Sequence, residues 1–463
     1  ALTMSSDPFF VRASITDVQL NDDVFGLLPR TAKTWCKEVW LYGAFSTIDI
    51  SWEERIGFSI EAEISSLQFE LPEEHGVRWA GFRDGVVKRI HGKSKLNVNA
   101  GSISYNGNEV DLNHIKGSLV PPSSLIGEPL MFSGGLSIKD FGNVGKKEGD
   151  EWMGGMLSNA PFRAVFTIHD FSPEEANLGE VRVPLATAQM LKIFQLKQWS
   201  MNAKVSIARD EYKGEVTVDG SCFINAAEGE YAEFPYPLKN LSTKIVFHQN
   251  DITIENLYAD GSGGSSVEIK GTVHASSDDL KVNLDLIAKN APIDSALRSA
   301  LPEGLASVVD KVLDKEVAKQ VLSSIEEREE SSFVLGGKIG LKLLIEHDSE
   351  LKSDVEITGG IAFKDIGIVH EDFPYPIILR SGYLLLEKDG LHVPEDTSIK
   401  FEGYGGGRGY VVGSIMFLEN GTAAPAIAMG LNGEEINSAL IAAVVEAAGE
   451  DNKLASDILE GLG

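Results

Sequence analysis

Phe234-Pro235-Tyr236-Pro237 returns letter for letter as Phe373-Pro374-Tyr375-Pro376. Its surroundings return with it. Upstream, Val218-Asp219-Gly220-Ser221-Cys222-Phe223 lies over Ile357-Thr358-Gly359-Gly360-Ile361-Ala362, at the same offset of 139 residues. Downstream, Asp260-Gly261-Ser262-Gly263-Gly264 answers Glu402-Gly403-Tyr404-Gly405-Gly406, and Gly271 answers Gly413. A long period of this kind marks one supersecondary unit copied and stacked. It narrows the chain to architectures in which each copy needs its neighbours to bury an apolar face.

A second set of anchors marks the joints between copies. Ala291 to Leu297 matches the register of Glu434 to Leu440, and Leu20 to Pro29 lies over Ile293 to Pro302. Val183 to Leu191 is a weaker fourth case. Each sits where a strand run gives way to a short helix. The anchors divide the chain into an irregular N-terminal β block over 1–182 and a β repeat over 183–290. A junction helix with a second β repeat follows over 291–432, and a C-terminal helical junction over 433–463.

Between the joints the pattern has period two. Phe58, Ile60, Ala62 and Ile64 alternate with small or charged residues, which predicts strands with one buried and one wet face. Strands are expected over Leu41–Ser51, Gly57–Ile64, Leu67–Leu71, Glu109–Leu112, Ile115–Val120, Lys213–Phe223 and Leu280–Ile287, among others. Helices are expected over Arg30–Trp40, over Ala186–Lys197 and from Pro302 to Ile325. Pro121–Pro129 and Gly142–Met156 read as irregular insertions. The fold class is therefore mainly β: an elongated, repeating antiparallel β-sheet groove with short amphipathic helices at the repeat junctions.

Charge restricts the partners. Lys plus Arg number 41 against 69 Asp plus Glu, a formal charge of −28. Such a surface repels phosphate backbones and anionic membranes at long range, so nucleic acid is not an expected partner. Cys36 and Cys222 stand alone, with neither a disulfide framework nor a zinc spacing. No apolar run reaches the roughly 18 residues of a membrane helix. Phe9, Val11, Ala13 and Ile15 alternate like the last strand of a repeat, and the chain closes in a helix-like run from Ile436 to Leu462. Both ends read as cuts through a longer array.

Motifs for chemistry are missing from the pattern. The nine histidines are scattered, and none is paired at i+4. His370-Glu371-Asp372 has the donors for a cation, but its counterpart Tyr231-Ala232-Glu233 does not. Gly403 to Gly409 precedes a strand and not a helix, so it reads as a hairpin or bulge and not a phosphate cradle. Phe-Pro-Tyr-Pro removes two donors from one edge, which places it at a sheet edge or crossover, as an aromatic corner or as a lip beside a groove. No enzyme activity, cofactor or metal is expected.

Serial strand blocks with one apolar face suit a sheet curled into a trough. Sheltering a CH₂ is worth about 0.8 kcal/mol, so an acyl chain of ~16 carbons is worth on the order of 10 kcal/mol. The residues expected to line such a groove are Val216, Val218, Ile252, Ile254, Val267, Ile269, Leu284, Leu286, Val355, Ile357, Leu384 and Leu386. The alternative is a structural or adhesive β-repeat protein with a closed core.

Gly214 to Gly220, Phe234 to Leu238, Ile254 to Ala259, Gly271-Thr272-Val273 and Ile293 to Leu297 carry a further likeness. Over roughly 200–445 the chain resembles the AsmA-like family of bacterial envelope proteins, and less closely over 15–200. The resemblance implies a repeating β-groove for phospholipid or another acyl-chain ligand. It also implies a periplasmic location, an inner-membrane anchor outside this sequence, and a role in carrying lipid toward the outer membrane.

Overall fold

The computed structural model describes residues 2–6, 9–27, 41–54, 57–71, 79–83, 86–106, 109–122, 129–139, 160–172, 181–184, 194–212, 214–231, 234–275, 280–301, 303–313, 315–316, 318–319, 333–348, 355–370, 373–418, 423–433, 440–441 and 443–444. The expected helices over 30–40 and most of 186–197 lie outside these residues. So do most of the insertion over 121–129, all of that over 142–156, and Cys36. The chain divides into two units, residues 1–228 with 242–255 and residues 229–241 with 256–463.

The first unit opens with β1 (Leu2–Ser6), β2 (Phe9–Leu20), α1 (Asp22–Leu27), β3 (Tyr42–Glu53), β4 (Gly57–Leu71), β5 (Trp79–Arg83) and β6 (Val86–Ile90). It continues through β7 (Ser94–Tyr105), β8 (Val110–Val120), β9 (Leu130–Ile138), β10 (Phe162–Phe171), β11 (Val181–Pro184) and β12 (Lys197–Arg209). The strands β13 (Thr217–Tyr231), β14 (Phe234–His248) and β15 (Asp251–Asp260) each have residues in both units. Antiparallel ladders join β1, β2, β3, β4, β7, β8, β9, β10, β12 and β13 in that order. A separate small sheet pairs β5 with β6 and β11.

The second unit holds β16 (Ser266–Ala275), β17 (Leu280–Pro292), α2 (Ser295–Ala300), α3 (Glu303–Val312), β18 (Lys338–Asp348), β19 (Glu356–Phe363) and β20 (Ile366–His370). It ends with β21 (Phe373–Glu387), β22 (Gly390–His392), β23 (Ile399–Gly403), β24 (Arg408–Phe417) and β25 (Ala423–Asn432). Its ladders run β16, β17, β18, β19, β21, and then through β22 and β23 to β24 and β25. All are antiparallel, so the chain is mainly antiparallel β with short helices, as its period-two pattern predicts.

Several strands are longer than expected, for one physical reason. A β-bulge inserts a residue without ending the strand, so it breaks the alternation while the hydrogen bonding continues. Gly57–Leu71 is a single strand whose register against β3 slips between Ala44 and Thr47. Val110–Val120 is single too, slipping against β9 between Leu112 and Ile115, where His114 takes φ 53°. β17 runs on to Pro292 through a slip between Ala288 and Ala291, with Asn290 at φ 56°. β9 escaped notice because Gly134 and Gly135 interrupt its pattern. A Cβ on Gly134 would stand 2.1 Å from the Val165 carbonyl oxygen and 2.9 Å from the Phe166 ring, which occupies the space of the missing side chain.

Phe-Pro-Tyr-Pro is not a crossover: it begins the 15-residue strands β14 and β21. Its donor-poor prolines fall at the strand start, where a missing N–H is tolerated. The tyrosine hydroxyl explains why the motif travels with a downstream glycine loop. Tyr236 Oη accepts from the Ser262 backbone N–H at 3.1 Å and bonds Ser265 Oγ at 3.1 Å. Ser262 Oγ in turn donates to Asp294, whose other carboxylate oxygen accepts from the Leu297 N–H at 2.9 Å and caps α2. Gly261 is obligatory there, since a Cβ would come within 2.7 Å of the Tyr236 ring.

The second copy repeats the device. Tyr375 Oη accepts from the Gly405 N–H at 2.8 Å, and Phe373, Tyr375, Ile377 and Tyr404 pack with Leu440 around the fully buried Ala443. Leu440 and Ala443 stand in register with Leu297 and Ala300, both buried in α2. Each copy thus uses one buried hydroxyl to hold a glycine turn beside its junction helix. α3 packs against α2, β20 and β25, and Arg298 of α2 pairs with Asp310 of α3. That partner holds the Asp310 carboxyl below its ordinary pKa.

Tyr375→Phe deletes the hydroxyl that accepts from the Gly405 N–H. The expected cost is about 0.5–1.5 kcal/mol, read as a lowered thermal midpoint against wild type. An unchanged midpoint would remove the clamp from the account.

Candidate functional site: one apolar face of the sheet

The candidate site is a face, assembled by register. In the second unit Val267 pairs with Ala288, then Leu341, Ile361 and Leu384. The next row runs Ile269, Leu286, Leu343, Gly359 and Leu386, and a third runs Gly271, Leu284, Ile345 and Ile357. Because successive side chains point to opposite faces, all of these share one side. The other side carries Lys270, Asp285, Lys342, Glu346 and Glu356. Its charges pair locally: Lys281 with Asp348 at 3.6 Å, and Lys270 with Glu268, which raises the Lys270 pKa.

The apolar side continues past β21. Leu386 pairs with Leu391, Leu391 with Ile415, and Ile415 with Pro425 of β25. Val411 pairs with Met429 and Gly413 with Ile427. Exposure changes along this path. Leu284 is 2% exposed, whereas Ile427, Met429 and Leu431 are 46%, 52% and 42% exposed. Solvent is therefore shut out of the rows in β17 and β18 and reaches the same face at β25.

In the first unit the face is built alike. Ala164, Ile207 and Val218 form one row, and Ile168, Ala203 and Cys222 another. Burial pushes the Cys222 thiol up to about 11, which suits a small apolar side chain. Ile64, Leu67, Val98, Ile115 and Phe132 form a buried cluster, with Phe45, Leu112 and Phe166 packed on it. Toward β1 the face opens again: Met4, Phe9, Ile15, Trp52 and Phe58 are exposed. Phe9 meets Trp52 edge-on with ring centroids 5.5 Å apart.

The twelve residues singled out by sequence sort by burial. Ile254, Val267, Ile269, Leu284, Leu286 and Leu386 are buried, and Val218, Ile252, Val355, Ile357 and Leu384 are half-buried. Val216 precedes β13 and is 40% exposed. Register unites the seven from β16, β17, β19 and β21, and Val355 precedes them in β19's alternation. Sequence reasoning missed the exposed members of the face, Ile427, Met429 and Leu431. The alternation Ile-Ala-Met-Gly-Leu marks them, diluted by small residues.

Polar side-chain contacts among the described residues are mostly exposed. His169 Nε2 lies 2.7 Å from Ser133 Oγ, and His248 pairs with Asp219. Glu387, Asp389 and His392 gather at the β21–β22 turn. Residues 403–407 form the turn between β23 and β24, closed by Gly403 N–H to Gly407 O at 2.8 Å, as a hairpin requires. No helix among the described residues is long and apolar enough to cross a membrane. The chain matches no known protein family, no curated protein and no solved structure.

The gradient along the face has a mutational signature. Leu284→Asp buries an unpaired carboxylate and should cost at least about 3 kcal/mol, whereas Met429→Asp should stay within roughly 0.5 kcal/mol. Thermal unfolding of the two variants separates these outcomes, and equal destabilisation would contradict the assigned exposures.

Proposed function

We propose that this chain is a non-enzymatic lipid carrier that holds acyl chains of phospholipid against the apolar face of its sheet. The observation that carries the reading is the solvent-open stretch of that face at β25, continuous by register with the rows of β21 and β22. A hydrocarbon chain laid there leaves water at about 0.8 kcal/mol per CH₂. The polar opposite face keeps the sheet wetted on its other side. In this reading the protein belongs to the AsmA-like class, works in the periplasm, and is tied to the inner membrane by a segment outside this sequence.

A second reading has its own support. Val267, Ile269, Leu284 and Leu286 are already buried among protein atoms, as in a structural or adhesive β-repeat with a side-chain-filled core. The two readings differ in what the open strand does.

Organic extracts of purified protein, analysed by mass spectrometry, should contain phospholipid near a fixed ratio to protein. Ile427→Asp with Met429→Asp should lower that ratio several-fold while leaving the unfolding free energy within about 1 kcal/mol of wild type. Lipid-free protein that stays monodisperse would favour the closed core.

A further inference from the structure

The turn between β21 and β22 brings together three metal-ligating groups that neither the repeat nor the apolar face requires. His392 Nε2 lies 3.1 Å from Asp389 Oδ1 and 3.9 Å from Glu387 Oε2. All three donor atoms lie within 4.8 Å of one another. The equivalent turn of the first repeat, between β14 and β15, reads His248-Gln249-Asn250-Asp251, so the fold turns here without carboxylates at these places. The second repeat carries a carboxylate at both.

The gathering concentrates negative charge at one turn. Glu387 and Asp389 are like charges held close, and neither pairs with a lysine or arginine among the described residues. Lys388, between them in sequence, reaches away to Glu356 at 3.5 Å. The backbone of His392 is held in the sheet, in register with Leu385 and Ser414, and the residue is half-buried between β21 and β24. The arrangement is thus one half-buried nitrogen donor facing two exposed oxygen donors.

We propose that Glu387, Asp389 and His392 bind a divalent cation of the zinc class. Metal–ligand distances near 2.0–2.2 Å place neighbouring donors about 3.0–3.4 Å apart. The His392–Asp389 pair already meets that spacing, and the exposed Glu387 carboxylate lies 3.9 Å from His392 Nε2 and within 4.8 Å of Asp389. Imidazole with carboxylate suits Zn²⁺ and its first-row neighbours, while Ca²⁺ and Mg²⁺ prefer all-oxygen shells. Three protein donors leave the remaining positions to water, which makes the site open and exchangeable. A bound ion cancels the carboxylate repulsion and ties β22 to the end of β21.

Titration of the whole 463-residue protein with ZnCl₂, followed by calorimetry, tests the assignment. One saturable site is expected. His392→Ala and Asp389→Asn should each weaken it by at least the roughly 10- to 100-fold that loss of an outer-shell partner costs a metal site. His248→Ala, at the corresponding turn, should leave it unchanged. CoCl₂ in place of zinc should give visible absorption from a low-symmetry nitrogen–oxygen site in wild type, a readout that needs no variant. Absence of saturable binding, or binding that survives His392→Ala at full affinity, would overturn the proposal, as would CaCl₂ competing on equal terms.

Discussion

Everything in this chain depends on the two-residue period of the extended backbone, which puts every second side chain on the same side of a ladder. An antiparallel register carries that sidedness from strand to strand without loss. Leu284, Ile345 and Ile357 are far apart in sequence yet lie in one row, because each ladder transmits the face of the last. A single slip would send the row into solvent, so the bulges at Ser65–Ser66, His114 and Asn290 act as register keepers. They absorb an extra residue and return the following apolar side chain to the buried side.

The junctions solve a different problem. A serial array needs a defined way to leave one copy and start the next, and here the exit is held by a buried hydroxyl. Tyr236 and Tyr375 each reach a glycine turn, and in the first copy a side chain at Gly261 would run into the Tyr236 ring. The same clamp then meets the junction helix, through Asp294 in one copy and through Leu440 and Ala443 in the other. Surface ion pairs such as Lys281–Asp348 decorate the polar face and contribute little by comparison.

Much of this was legible from residues alone, for reasons that can be stated. The duplicated Phe-Pro-Tyr-Pro and its glycine partners betray the repeat because a turn pinned by a ring tolerates few replacements. The parity of Val267, Ile269, Leu284 and Leu286 is plain in the alternation. Other features are hidden by the same physics. Bulges break the period, so β4 and β8 read as two strands each, and paired glycines erase β9. The extent of burial along the face depends on tertiary packing, which leaves no mark on Ile427 or Leu284 individually. The Glu387, Asp389 and His392 cluster lacks helical spacing and is gathered only by the turn.

The central claim is that one side of the sheet offers itself to hydrocarbon where it meets solvent. Photolabelling with a phospholipid carrying a diazirine in its acyl chain, followed by peptide mapping, tests this most directly. The account predicts adducts on the β25 peptide around Ile427 and Met429, suppressed by excess unlabelled lipid, with none on the Lys338–Glu346 polar positions. Labelling spread evenly over both faces, or no competable labelling at β25, would contradict it.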